Sequence, residues 1–107
     1  MNPVAHFEKL LASGQDNALL RYSLGNAYFN DDKPSEAIPH LAQALAYDPG
    51  YSAAWKAYGK ALTATGQIDQ ARKAYERGIE AAENKGDKQA AKEMQVFLRR
   101  LQKKADE

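Results

Sequence analysis

The sequence contains no cysteine. That removes disulfide frameworks, thiolate nucleophiles and thiolate metal sites in one step. It has two histidines, His6 and His40. No helix-spaced metal motif and no carboxylate partner attends either, so both read as ordinary surface or half-buried side chains, and no metal is expected. Prolines number four and alternating apolar/polar runs are lacking, which argues against strands. No apolar run approaches the roughly 20 residues of a membrane span, and the start lacks a basic-then-apolar secretory pattern. A cytoplasmic protein without membrane contact is the expectation. The net charge is +1, too small for a general polyanion binder.

Catalytic patterns are also missing. There is no Gly-rich phosphate loop and no G-x-S-x-G elbow. Asp31 and Asp32 are adjacent, but a turn explains them. Glu76, Glu80 and Glu83 share a helix with Arg72, Lys73 and Arg77, which reads as a solvated face with ion pairs at helical spacing. Neither an enzyme nor a cofactor is expected.

What is present is a period. Shifted by 34 residues, Gly25 falls on Gly59, Ala27 on Ala61 and Ala37 on Ala71. Leu24 meets Tyr58, Tyr28 meets Leu62, Leu41 meets Tyr75 and Ala44 meets Gly78. Large apolar residues align with large ones and small with small, the sign of a stacked helical repeat. Each copy predicts two antiparallel helices, about Asn17–Asn30 and Pro34–Tyr47 in the first. Gly25 and Gly59 sit mid-helix at a cost of roughly 1 kcal/mol relative to Ala. Close approach of a neighbouring helix, with Ala37 and Ala71 as small partners, is the expected return.

The remaining elements follow from local signals. Asn2 and Pro3 start a helix over Val4 to about Ser13, ended by Gly14. Phe7 lies 34 residues before Leu41 and Leu11 lies 34 before Leu45, so this helix reads as the second helix of a repeat whose first is missing. Asp16 or Asn17 caps the next helix. Pro39 lies five residues past Pro34, so the helix there either bends or begins later. Ser52 is expected to cap the fourth helix, and Asp69 can cap the fifth, which reaches about Glu83. Asn84 to Asp87 reads as a turn. A last helix, about Lys88 to Lys103, carries a stripe of Ala90 or Ala91, Met94, Phe97 or Leu98, and Leu101. It lacks a small residue eight places in.

Trp55, Tyr58, Gly59, Leu62, Ala71 and Tyr75 follow the pattern W-x-x-L-G-x-x-Y, then A, then F, and resemble a tetratricopeptide repeat. Leu24, Gly25, Tyr28, Ala37, Leu41, Ala44 and Pro49 carry it in the first copy. Arg21 stands where the family prefers Trp, with an aliphatic stem able to snorkel, and Glu83 replaces the family's Pro. The resemblance implies an all-α superhelix of antiparallel pairs, about six helices. Residues 1–15 would be a half-repeat, 18–51 and 52–85 two repeats, and 86–107 a capping helix.

The resemblance also implies a concave groove that takes a peptide or a partner helix, in the manner of an adaptor or assembly factor. Carried over position by position, that groove offers Tyr22, Asn26, Phe29 and Asn30, then Lys56, Lys60 and Thr63, then Lys88, Gln95 and Arg99. Some family members clamp a C-terminal carboxylate. Here Asn26 matches one clamp residue, but Tyr22 stands for a Lys and Ala57 for an Asn, so that clamp is absent. Lys56 and Lys60 are one turn apart and repel; a ligand carboxylate would relieve this, which points to an acidic partner. Residues 85–107 hold seven basic and four acidic side chains, while 1–84 hold eight and ten. The alternative is therefore phosphate contact by Lys85, Lys88, Lys92, Arg99, Arg100, Lys103 and Lys104, opposed by Asp106 and Glu107 and lacking interleaved exposed aromatics. Weak self-association through open ends is a third reading.

Overall fold

Six helices build the chain in the computed structural model, which describes residues 2–105: α1 (Pro3–Ala12), α2 (Ala18–Asn30), α3 (Pro34–Tyr47), α4 (Ser52–Ala64), α5 (Ile68–Lys85) and α6 (Lys88–Ala105). No strand occurs among the described residues. Asp106 and Glu107 lie outside them. The helices alternate direction and stack: α2 pairs with α3, α4 with α5, and α4 also meets α2 and α6. This makes an elongated body of 44 × 30 × 20 Å, an all-α superhelix with α2, α4 and α6 along one layer.

Local chemistry starts and stops the helices. Asn2 Oδ1 accepts from Val4 N at 2.9 Å, and Asn17, rather than Asp16, accepts from Leu20 N at 2.8 Å. Ser52 and Asp69 are not caps. Tyr51 and Gln67 occupy those positions without a side-chain bond. Ser52 instead turns its hydroxyl toward Asp87 Oδ2 at 3.4 Å, and Asp69 pairs with Arg72 at 2.7 Å. Glu76, Glu80 and Glu83 make no ion pair with Arg72, Lys73 or Arg77 among the described residues; Arg77 lies over the Trp55 ring. The fifth helix runs through Asn84 to Lys85, because Gly86 supplies the left-handed stop at φ 76°.

Pro39 neither bends nor delays α3. It sits inside an unbroken helix on an exposed face. Its ring removes one bond, to the Ser35 carbonyl, and Ser35 is exposed as well, so water can take that acceptor.

The glycines bring the helices together. A Cβ on Gly25 would stand 2.6 Å from Leu41 Cγ, and one on Gly59 would overlap the Tyr75 ring. The bulk that fills each contact comes from the facing helix. Tyr75 then stacks on Phe97 at 5.7 Å, which carries the core into α6. Trp55 is buried and donates from Nε1 to the Pro49 carbonyl at 2.8 Å. Ala91, Met94 and Leu101 are the buried side of α6.

Arg21 holds its guanidinium in a polar clasp rather than snorkelling. Nε and Nη2 donate to Asp16 at 2.7 and 3.0 Å, and Nη1 reaches His40 Nδ1 at 3.1 Å. Tyr47 donates to Asp16 at 2.8 Å and Tyr28 to Glu8 at 3.0 Å. The absence of a carboxylate near histidine does not hold for His40, whose Nε2 lies 3.7 Å from Glu8 Oε1 while its ring stacks on Tyr28. A cationic arginine beside Nδ1 requires the neutral ring with its proton on Nε2. The clasp ties α1 and the Asp16 turn to α2 and α3.

The clasp makes stability pH-dependent. Burial, aided by the Arg21 charge, pushes His40 below its usual 6.5, while Glu8 and Asp16 oppose that shift. A histidine with a lowered folded pKa contributes stability that is complete above pH 6.5 and lost as pH falls through the folded value. The Arg21 hydrogen bond holds Asp16 down at about 2, so its contribution is complete above 3.8 and fades only in stronger acid. Melting temperature should therefore fall between pH 7 and 5. His40→Asn should flatten that fall; an equal fall in the variant would place the sensitivity elsewhere.

Candidate functional site

The layer of α2, α4 and α6 brings the groove positions into two clusters. On the α2–α4 side, Lys60 lies over the Phe29 ring, 5.4 Å from its centroid. Phe29 is half-buried against Ala57 and Ala61 of α4, and Lys60 is exposed. One turn earlier, Lys56 Nζ pairs with Glu93 Oε2 of α6 at 3.0 Å. The expected repulsion between Lys56 and Lys60 is thus met inside the molecule: one lysine has a carboxylate, the other an aromatic face. Thr63 donates its hydroxyl to the Gly59 carbonyl at 2.8 Å, so it turns back on its own helix.

The second cluster lies at the α1 end. Tyr22, Asn26 and Asn30 line a hollow of about 370 Å³ together with Pro3, Phe7 and Ala27. Tyr22 is half-buried and also packs on Tyr51, ring centroids 5.0 Å apart, so one of its faces belongs to the core. Lys88, Gln95 and Arg99 are exposed along α6, where the side chain that reaches α4 is Glu93.

Two contributors escape a reading by groove position. Glu93 was visible as the residue lacking smallness at the eighth place of the last helix, but its partner lies 37 residues away. Pro3 and Phe7 belong to α1, which the groove pattern does not include. The seven cations of the nucleic-acid alternative are all exposed, and Arg100 covers Phe97 at 5.8 Å. Among the described residues no group of three or more acidic or histidine side chains could hold a metal ion. No helix is long and apolar enough to cross a membrane.

This geometry matches known proteins. The family model for the tetratricopeptide repeat matches residues 30–94. A TPR repeat-containing protein of Pseudomonas aeruginosa is 51% identical over 94 residues, covering 88% of this chain and 90% of its own length. The solution structure of a Bordetella parapertussis protein superposes with a TM-score of 0.82 at 48% identity, covering 94% of this chain and 88% of that one. The first TPR of Spaghetti (RPAP3), bound to the HSP90 peptide SRMEEVD, superposes at 0.75 with 26% identity, covering 85% and 68%. The chain belongs to the tetratricopeptide repeat family.

Proposed function

We propose that the chain is an adaptor that binds an acidic peptide segment of another protein along the α2–α4 face, with Lys60 and Lys56 meeting its carboxylates. The family is generally one of protein–protein interaction modules rather than catalysts. The observation that carries the reading is an exposed lysine held over an aromatic floor, Lys60 on Phe29, beside a second lysine whose partner, Glu93, comes from α6. A bound carboxylate can take both cations, exchanging with Glu93 at Lys56. Phe29 and Asn26 supply apolar and amide contacts next to them. The peptide SRMEEVD held by RPAP3 carries three acidic side chains, which fits the same preference, although Tyr22 and Ala57 deny this chain the C-terminal clamp.

Fluorescence anisotropy with labelled SRMEEVD, and with the same peptide carrying Gln and Asn for its acids, tests the reading. The acidic form should bind more tightly, and Lys60→Glu should weaken it about fivefold or more, since a reversed charge repels as well as failing to attract. Equal binding of both peptides, or no change in Lys60→Glu with the helices intact, would remove the proposal. Retention on heparin, sensitive to salt, would favour the basic face of α6 instead.

A further inference from the structure

The α1 end of the stack leaves uncovered what the stack covers elsewhere. α1 is amphipathic, yet it buries no residue: Val4, Phe7, Leu10 and Leu11 are all half-buried. One period along, the residues aligned with Pro3, Phe7 and Leu10 are Ala37, Leu41 and Ala44, each 0% exposed. What buries Leu41 is α2, through Gly25, and what buries Tyr75 is α4, through Gly59. No helix stands in that relation to α1.

The same gap shows on α2. Ala57 and Ala61 of α4 lie beneath Phe29 and its neighbours, and Ala61 is 0% exposed. One period back they become Ser23 and Ala27, both half-exposed. Pro3 and Phe7 on one wall and Ser23, Asn26 and Ala27 on the other enclose the 370 Å³ hollow. The uncovered surface therefore continues an interface the molecule makes twice.

We infer that this hollow docks one amphipathic helix of a partner protein, seated as α2 sits on α3 and α4. The repeat dictates its chemistry. A glycine or alanine must face Phe7, as Gly25 faces Leu41. Large apolar residues should flank it one place before and three places after, as Leu24 and Tyr28 flank Gly25. Its rim should offer polar groups to Asn26 and Asn30. A second copy of the chain is a poor occupant. Its α2 and α4 are enclosed, and α6 has Glu93 where Gly25 and Gly59 stand, already paired with Lys56. The site is distinct from the Lys56–Lys60 face, although Asn26 borders both.

The probe is a labelled peptide of the chain's own residues 51–66, a helix of the required pattern around Gly59. A lactam joins Lys60 to a Glu introduced by Ala64→Glu, both outward positions of α4, so that the peptide is helical before binding. Saturable binding to the full chain is expected. Ala27→Lys or Ser23→Lys in the chain should weaken it about tenfold or more, as should Gly59→Leu in the peptide, through steric exclusion. Lys60→Glu in the chain should leave it unchanged, which separates this site from the acidic-peptide face. Circular dichroism of each variant checks that the chain remains folded. No saturable binding at millimolar peptide, or binding indifferent to Ala27→Lys and to Gly59→Leu, would overturn the proposal. So would a concentration-dependent dimer, in sedimentation, that Phe7→Asp abolishes, since the occupant would then be a second copy.

Discussion

Tyr75→Ala is expected to cost about 3–5 kcal/mol, the usual range for deleting a buried aromatic ring, and to lower the melting temperature by more than about 10 °C. Tyr75 is 2% exposed and joins three helices. It fills the space that Gly59 leaves on α4, is held by α5 and stacks on Phe97 of α6. Burial also pushes its phenol above the ordinary value of 10. Removal of the ring opens a void whose far wall is bare glycine backbone, so neither side has an atom to move in. Against a total stability of roughly 5–15 kcal/mol for a domain, the loss is severe. Thermal and urea unfolding measure it. A cost below about 1 kcal/mol would mean that the Gly59–Tyr75 contact does not organise the stack.

Gly59→Ala is expected to destabilise as well, against helix propensity. In an exposed helix that change gains up to about 1 kcal/mol. Here the new Cβ would overlap the Tyr75 ring, and the ring has no vacant space because Phe97 stacks on it. Overpacking costs typically about 1–3 kcal/mol, which exceeds the propensity gain over most of that range. The two positions should also be coupled. In a double-mutant cycle, Tyr75→Leu should restore part of the stability lost by Gly59→Ala, with an interaction of at least about 0.5 kcal/mol. Strict additivity would show that the methyl finds room elsewhere.

Both predictions rest on residues that the sequence marks by itself. A glycine in mid-helix, repeated 34 residues on and paired each time with a large residue on the next helix, has few readings other than close packing. The paired helices were legible for that reason, and α3 runs from Pro34 to Tyr47 as local signals indicate. The misreadings arose where two local rules compete. Asn84 looks like a turn residue, but Gly86 is the better stop. Ser52 looks like a cap, but its neighbour Tyr51 takes the position, and the hydroxyl faces Asp87. Pro39 looks like a breaker, but it removes one bond on an exposed face.

The site was legible as positions and not as pairings. Phe29 and Lys60 were both named by groove register, yet their stacking is a tertiary contact across 31 positions. The Lys56–Glu93 pair and the clasp of Arg21, Asp16, His40 and Glu8 are of the same kind. Arg21 in a slot that favours Trp was the visible clue, because a cation there needs a carboxylate, and the only question was which. Periodicity reports which face a residue occupies. It does not report which neighbour answers its charge.

The most direct test of the central claim, that the α2–α4 face is where the chain meets an acidic partner, is an NMR titration. Isotopically labelled full chain would be titrated with SRMEEVD and amide shifts followed residue by residue. The account predicts that shifts concentrate at Phe29, Lys56, Lys60 and Thr63, and that Glu93 on α6 moves with them as Lys56 exchanges partners. Shifts confined to Lys92, Arg99 and Lys103, or none at millimolar peptide, would contradict it.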